Sequence, residues 1–199
     1  METYDLMLFR WINGHHTPFW DWVLWGASQP WSWIAVLVAA YAALLVRAKK
    51  SDVGGRYWWW ILLAGIGLSF LVSDQVSVHC FKNVFNRLRP CHVLARVRMF
   101  RTECGGQYGF VSSHAANAFS VVSFLGLCAM RMPKVNKRGW LLFALLLLWA
   151  VVVGYSRPYL GKHYPGDVVG GALLGGGVGA LVYWMASMIL RRISEKDLQ

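Results

Sequence analysis

Long apolar runs, each ended by a polar or basic cluster, divide most of the chain into segments typical of membrane-spanning helices. A helix needs roughly 20 apolar residues to cross a bilayer core of about 30 Å, and the runs reach or approach that length. The pattern predicts five spans, at about Trp31–Val46, Tyr57–Val78, Ala115–Met130, Trp140–Tyr155 and Val168–Leu190. We therefore expect an all-α, polytopic membrane helix bundle, folded as a single domain over residues 1–199.

Residues 1–29 have a different pattern, in which apolar and polar positions alternate over short distances. Trp11, Trp22 and Trp25 are among the apolar positions, and tryptophan favours the headgroup level of a bilayer. The sequence Ser28-Gln29-Pro30 interrupts any continuous apolar run. The pattern predicts an interfacial helix followed by a turn, and not a sixth span.

Composition and charge agree with a membrane protein and suggest its orientation. Hydrophobic residues make up 57% of the chain and charged residues 15%, whereas soluble domains are about 25% charged. The net charge is +11. Many cations fall in three short segments on one side of the predicted bundle, residues 47–56, 131–138 and 191–196. The positive-inside rule assigns that side to the cytoplasm. Other cations lie at the opposite ends of the spans, where an anionic substrate would explain them. No nucleic-acid partner is expected, because the cations do not interleave with a soluble reading surface.

Three polar strings lie at those opposite ends, over residues 82–90, 111–114 and 156–167. Lys82, Arg89 and Arg157 supply cations for the oxygens of a phosphoryl group, and arginine adds a planar fork. Ser112 and Ser113 supply hydroxyls at a helix start, where free backbone N–H groups also bind anions. Since Lys82 and Arg89 are seven residues apart, about two helical turns, a helix that continued past the membrane would present both to one site.

Two histidines and one carboxylate complete this chemistry. His163 and Asp167 are four residues apart, so they face each other across one helical turn. A carboxylate on one ring nitrogen fixes the tautomer and leaves the other nitrogen free to attack phosphorus. A metal site is the competing interpretation of His114, His163 and Asp167. The surrounding cations and the scarcity of other carboxylates disfavour it, so we expect neither a metal nor a cofactor.

The three strings resemble the signature of the type 2 phosphatidic acid phosphatase (PAP2) superfamily, which is Lys-x6-Arg-Pro, Pro-Ser-Gly-His and Ser-Arg-x5-His-x3-Asp. The first and third motifs match at every fixed position, from Lys82 to Asp167. The second departs at Val111 and Ser113, where the family has Pro and Gly.

The resemblance implies a role for each matched residue. His163 would be the nucleophile and form a phosphohistidine, with Asp167 as its partner. His114 would protonate the leaving oxygen and later activate water. The phosphate would be held by Lys82, Arg89, Ser112, Ser113 and Arg157.

The same resemblance implies an integral membrane phosphatase that acts on a lipid phosphate or diphosphate. Among the bacterial substrates of the family we expect undecaprenyl diphosphate, with phosphatidylglycerophosphate and lipid A phosphate as alternatives. We expect the enzyme in the bacterial inner (cytoplasmic) membrane, with its active site facing the periplasm or cell exterior. A catalytically inactive lipid-binding relative and a transporter of phosphorylated lipid are the rival hypotheses. The intact motifs argue against the first, and the lack of an evident inverted repeat argues against the second.

The four cysteines divide into two predicted classes. Cys91 and Cys104 bracket the loop between the first two motifs, and a disulfide is expected there because that loop lies outside the cytoplasm. Cys80 and Cys128 lie in or near spans and are expected to be ordinary buried thiols.

Two further features concern helix packing. Gly171, Gly175 and Gly179 recur at four-residue spacing in the fifth span, which lets a neighbouring helix approach closely. Packing within the chain and a homodimer seam both fit this pattern. Asp74, inside the second span, is expected to face the bundle in a supporting role, because intramembrane carboxylates are costly.

Overall fold

Helices build the framework of the described part of the chain. The structure, a computed structural model, describes residues 3–51, 57–131 and 137–196. In chain order the helices are α1 (Tyr4–Gly14), α2 (Pro18–Ala27), α3 (Pro30–Ser51), α4 (Trp58–Val76), α5 (Asn83–Phe85), α6 (Pro90–Val93), α7 (Ser113–Arg131), α8 (Lys137–Tyr159) and α9 (Pro165–Lys196). A π-helical segment, Ser77–Lys82, joins α4 to α5 without a break.

Five helical stretches are long and apolar enough to cross a bilayer, which confirms the predicted all-α bundle of about five spans. They are Pro30–Lys49, Trp58–Phe85, Ser113–Met130, Gly139–Tyr159 and Pro165–Ile193. Each stretch extends beyond at least one of the limits expected from the apolar run alone, because the helix continues into polar positions such as Arg157.

The N-terminal segment differs from the prediction, since residues 4–27 form two helices and not one helix and a turn. Thr17 is the N-cap of α2, since its hydroxyl accepts a hydrogen bond from the Trp20 N–H, and Pro18 occupies the first helical position. Both features are strong helix-start signals. α1 packs against α8 and α9, and α2 packs against α8.

The centre of the bundle is α7, which packs against α4, α8 and α9. About three quarters of its apolar stretch, 72%, is buried, against 17–33% in the other four spanning stretches. Phe124 and Leu125 of α7 are fully buried together with Leu62 of α4 and Val153 of α8. The elements that flank α7 therefore set the geometry at its N-terminal end.

The glycine row of α9 faces α7. A Cβ atom at Gly171 would lie 2.6 Å from the Ser112 carbonyl oxygen, and Cβ atoms at Gly175 and Gly179 would collide with the backbone around Ala116 and Ser120. The row therefore serves packing within the chain. The homodimer considered for these glycines is not supported, because their face is already occupied by α7.

Candidate active site

The three polar strings meet at one end of the bundle. Ser112 and His114 lie at the start of α7, and Arg157 lies in the last turn of α8. Gly161, with φ of +78°, turns the chain after α8, a backbone conformation that suits glycine. His163 lies in that turn, and Asp167 lies in the first turn of α9, which begins at Pro165.

Lys82 reaches the site from the π-helical segment. Its Nζ donates a hydrogen bond of 2.5 Å to Ser113 Oγ, which is also 2.7 Å from Ser77 Oγ. π-Helical turns inside α-helices occur frequently at functional sites. Ser113, the departure from the family Gly, thus links the Lys82 ammonium to Ser77.

Arg89 reaches the site by a different route from the one expected. Asn86 adopts a left-handed conformation, φ of +48°, and ends the helix after Phe85. Lys82 and Arg89 therefore do not share one continuous helix, which was the condition under which helical spacing would present both to one site. Arg89 instead follows Leu88, which forms an isolated antiparallel bridge with Tyr108. Its guanidinium donates to the carbonyl oxygens of Tyr108 (3.1 Å) and Cys104 (2.9 Å).

A disulfide joins Cys91 to Cys104, with the Cα atoms 5.8 Å apart. The ligand atoms of these cysteines and of His92 lie within 4.8 Å of one another, but the disulfide uses both thiols. Cys128 is buried as predicted, whereas Cys80 is exposed. The prediction for Cys80 is wrong because the π-helical segment turns this side chain away from the bundle.

His163 is enclosed beside the carboxylate of Asp167, with side-chain exposures of 2% and 0%. Its Nδ1 lies 3.5 Å from Asp167 Oδ2, long for a hydrogen bond, although such bonds often tighten only when substrate binds. The pKa of His163 lies well below its usual range, because burial disfavours the imidazolium and the cations of Arg89 and Arg157 repel it. The ring is therefore neutral at neutral pH, as attack on phosphorus requires.

Some polar groups around His163 are buried without a hydrogen-bond partner in the described part of the chain. They include Ser112 Oγ and Arg157 Nε. Buried polar atoms are nearly always paired, so this hydroxyl and guanidinium fit an anionic ligand. Arg89, Arg157 and Lys82 all act electrostatically on His163, so the predicted phosphate-binding cations converge on the predicted nucleophile.

His114 lies between this cation cluster and an apolar cavity. The cavity has a volume of about 310 Å³ and is lined by side chains of α3, α4 and α7, among them Trp33, Ile34, Phe70, His114 and Asn117. Ile34 is 63% exposed, so the cavity reaches the lipid-facing surface of the bundle. Asn117 donates to Asp74 Oδ1 at 3.2 Å, which places Asp74 beside this cavity, facing the bundle.

Sequence reasoning missed three residues of the site. Arg87 Nη1 donates to Asp167 Oδ1 at 2.7 Å, and its Nη2 donates to Asp5 Oδ2 at 2.5 Å. Arg87 lies inside the first motif string, which was the available signal, whereas nothing in the sequence connects Asp5 to it. Lys162 precedes His163 and has its pKa lowered to about 8 by burial and by repulsion from Arg157 and Arg89.

The N-terminal helices also hold the loop that carries the disulfide. Asp21 of α2 accepts two hydrogen bonds from the Arg98 guanidinium and one from the Tyr159 hydroxyl. Asn13 of α1 donates to the carbonyl oxygens of Arg98 and Tyr159. The Arg98 guanidinium lowers the pKa of Asp21, against the opposing effect of burial. The loop is therefore fixed against the end of α8, next to Arg157.

Comparisons with known proteins agree with this geometry. The model of the PAP2 superfamily matches residues 58–191. The chain is 33% identical to lipid A 4'-phosphatase of Bacteroides thetaiotaomicron over 197 residues, covering 96% of this chain and 80% of that protein. It is 30% identical to lipid A 4'-phosphatase of Porphyromonas gingivalis, covering 88% and 70%.

Among solved structures, the fold resembles that of a transmembrane PAP2 type phosphatidylglycerolphosphate phosphatase from Bacillus subtilis. The TM-score is 0.65 at 22% identity, over 95% of this chain and 85% of the other. The motifs, the helical architecture and the relatives of the present chain together show that it belongs to the PAP2 superfamily. It is a multi-pass membrane lipid phosphatase.

Proposed function

We propose that the protein hydrolyses a phosphate monoester of lipid A and releases phosphate, in the manner of a lipid A 4'-phosphatase. The observation that carries this proposal is the 33% identity to such an enzyme across 96% of the chain and 80% of the relative. The undecaprenyl diphosphate expected from the sequence finds no specific support among these relatives. We therefore rank it below lipid A, together with phosphatidylglycerophosphate.

In the proposed mechanism, the phosphate binds among Lys82, Arg89 and Arg157, with Ser112 at the start of α7. His163 attacks phosphorus, so that a P–N bond forms and the ester P–O bond breaks. His114 gives a proton to the departing lipid oxygen. Water then attacks the phosphohistidine, losing its proton to His114, and the P–N bond breaks to release phosphate.

The position of His114 supports its role as the leaving-group acid. A phosphate bound at the cation cluster, with its lipid portion in the apolar cavity, puts the ester oxygen at the boundary where His114 lies. Cleaving a monoester expels an alkoxide, a strong base that needs a proton early. A diphosphate expels a phosphate monoester, whose second pKa of about 6 makes it a better leaving group.

We further propose that the protein resides in a bacterial inner membrane, with the site facing the periplasm or cell exterior. The Cys91–Cys104 disulfide supports this orientation, because disulfides persist in oxidising compartments. The clusters of basic residues at the opposite ends of the spans also favour it, once the cations on the side of the site are assigned to the anionic substrate.

The proposal is tested by measuring phosphate release from lipid A, phosphatidylglycerophosphate and undecaprenyl diphosphate with purified protein in detergent. Lipid A is expected to be the fastest substrate, and excess EDTA is expected to leave the rate unchanged. His163→Ala should abolish release while preserving lipid binding, and His92→Ala, at an exposed histidine of the same side, is the matched control.

Three outcomes would count against the proposal. Faster release from undecaprenyl diphosphate would restore the substrate predicted from the sequence. An EDTA-inactivated enzyme that recovers with added metal would overturn the metal-independent mechanism. A wild-type protein that binds all three lipids and releases phosphate from none would favour the inactive lipid-binding relative.

A further inference from the structure

A carboxylate from the N-terminal helix α1 reaches the back of the candidate active site. Asp5 contacts both Arg87, which pairs with Asp167, and the backbone of Gly166. We propose that Asp5 is a positioning residue for phosphoryl transfer, because it holds Arg87, which holds Asp167, which in turn orients His163. This inference rests on the proposed role of His163 as the nucleophile.

Arg87 is fixed from several directions. Its two terminal nitrogens each bind a different carboxylate, Asp167 at 2.7 Å and Asp5 at 2.5 Å. The guanidinium carbon lies over the Tyr164 ring, 4.2 Å from its centre. Phe9 of α1 packs against the same ring in an edge arrangement, with centroids 5.5 Å apart. Removing the Asp5 charge would release one arm of the fork and let the other drift from Asp167.

Asp167 depends on this support because its side chain is fully buried. A buried carboxylate is costly unless it is paired and hydrogen-bonded. One oxygen of Asp167 accepts from Arg87, and the other accepts from the Tyr164 N–H at 3.0 Å and faces His163. The arm of Arg87 and the Tyr164 N–H therefore together set which way the carboxylate presents its second oxygen to the imidazole.

Asp5 also acts on the backbone that carries Asp167. Its Oδ1 accepts a hydrogen bond of 2.7 Å from the N–H of Gly166, in the first turn of α9. A carboxylate at a helix N-terminus stabilises the unpaired N–H groups there. Asp5 lies outside the residues that match the superfamily model, 58–191, so the superfamily motifs assign it no role.

A merely structural role for Asp5, the docking of α1, predicts a different result from a positioning role. Asp21 provides the comparison, because it also joins an N-terminal helix to an arginine, Arg98, in the loop that carries the disulfide. In the part of the chain that the structure describes, neither Asp21 nor Arg98 is hydrogen-bonded or ion-paired to Asp167. If docking were the whole role of Asp5, removing either carboxylate charge would have the same kinetic effect.

The test uses the full chain in detergent, with whichever lipid of the three-lipid panel the wild-type enzyme cleaves fastest. Asp5→Asn keeps an oxygen that can accept from Gly166 but loses the charge that pairs with Arg87. We expect kcat to fall roughly 10- to 100-fold, the range that follows from misplacing a reacting group by up to about 1 Å. KM is expected to stay within about twofold, because Asp5 does not contact the phosphate site. Asp5→Glu should recover most of kcat, and Asp21→Asn should keep kcat within about twofold.

A double-variant cycle checks that the two residues act through one route. Arg87→Lys keeps the cation but cannot grip both carboxylates, so it should lower kcat by itself. Adding Asp5→Asn to it should cause little further loss, since residues in one network are not additive. If Asp5→Asn does not fold, Arg87→Lys and Asp5→Glu still report the kcat and KM split.

Several results would overturn the inference. An unchanged kcat in folded Asp5→Asn would do so, as would equal losses in Asp5→Asn and Asp21→Asn, or losses that multiply in the double variant. His163→Ala is measured in the same assay. Turnover by His163→Ala would refute the nucleophile itself, whereas an inactive His163→Ala beside a fully active Asp5→Asn would refute only the role of Asp5.

Discussion

Gly171 marks the point where α9 touches the start of α7, so a single added methyl group tests how closely these helices must approach. A Cβ atom there would lie 2.6 Å from the Ser112 carbonyl oxygen, 3.1 Å from Ala115 Cβ and 3.2 Å from the Ala116 nitrogen. Because an ordinary C···O contact is about 3.3 Å, the Ser112 carbonyl would have to move by roughly 0.7 Å. Overpacking of this kind costs about 1–3 kcal/mol.

We expect Gly171→Ala to lower both thermal stability and turnover. For a chain of this size, each kcal/mol corresponds to roughly 2–4 °C in melting temperature, so a loss on the order of 5 °C is expected. Ser112 carries the movement to His114 two residues later, and a misplacement approaching 1 Å can cost up to about 100-fold in rate. The measurements are thermal unfolding in detergent and phosphate release from lipid A.

Gly177→Ala is the matched control, because a Cβ atom at Gly177 meets nothing within 4 Å. This variant should be as stable as the wild type or slightly more so, since alanine favours helix over glycine by up to about 1 kcal/mol. Equal melting temperatures and equal turnover in the two alanine variants would refute the reasoning. A lower melting temperature with unchanged turnover would mean that α7 yields without moving His114.

Three further predictions concern the disulfide loop, Lys162 and the orientation of the protein in the membrane. Breaking the disulfide, by reductant or by Cys91→Ser, should lower the melting temperature, because closing a loop of this length contributes roughly 3 kcal/mol. It should also raise KM, because the Cys104 carbonyl holds Arg89. A KM insensitive to reductant would contradict this. Burial and neighbouring cations lower the pKa of Lys162 to about 8, so its positive charge is lost as pH rises through that value. KM for the anionic lipid should therefore rise between about pH 7 and 9 in the wild type but not in Lys162→Arg. Identical pH profiles would argue against a substrate contact. In a background that lacks the native cysteines, single cysteines replacing Arg96 or Arg191, both exposed, should react differently with an impermeant reagent in intact cells, with only position 96 labelled. The reverse pattern would put the site in the cytoplasm.

The bundle was predictable from sequence because bilayer thickness fixes the length of an apolar helix, and each run ends at charged residues. The site was predictable in composition because its groups fall in strings of fixed spacing, such as His163 and Asp167. These spacings predict the chemistry, and they hold whatever path the intervening chain takes.

What the sequence did not disclose is how distant segments meet. The route to Arg89 depends on the left-handed Asn86 and on a bridge to Tyr108, two local features that helical spacing does not encode. The contact between Arg87 and Asp5 joins residues 82 positions apart, and no periodic pattern announces it. The outward direction of Cys80 follows from the π-helical segment, which shifts the register of every side chain within it.

The central position of α7 has a consequence for how the protein is made. Its apolar stretch has the lowest mean hydropathy of the five, 1.3 against 1.7–2.1, and its polar side chains find partners on other helices: Asn117 on Asp74, Ser120 on the Ser69 carbonyl and Ser123 on the Gly176 carbonyl. The last of these partners lies on α9, which is synthesised after α7. A helix of this kind enters lipid poorly by itself, so we expect α7 to remain near the insertion machinery until α9 has emerged. The catalytic end of the protein would then assemble only in the final step of biosynthesis, which limits the time during which an incomplete phosphatase is exposed to its lipid.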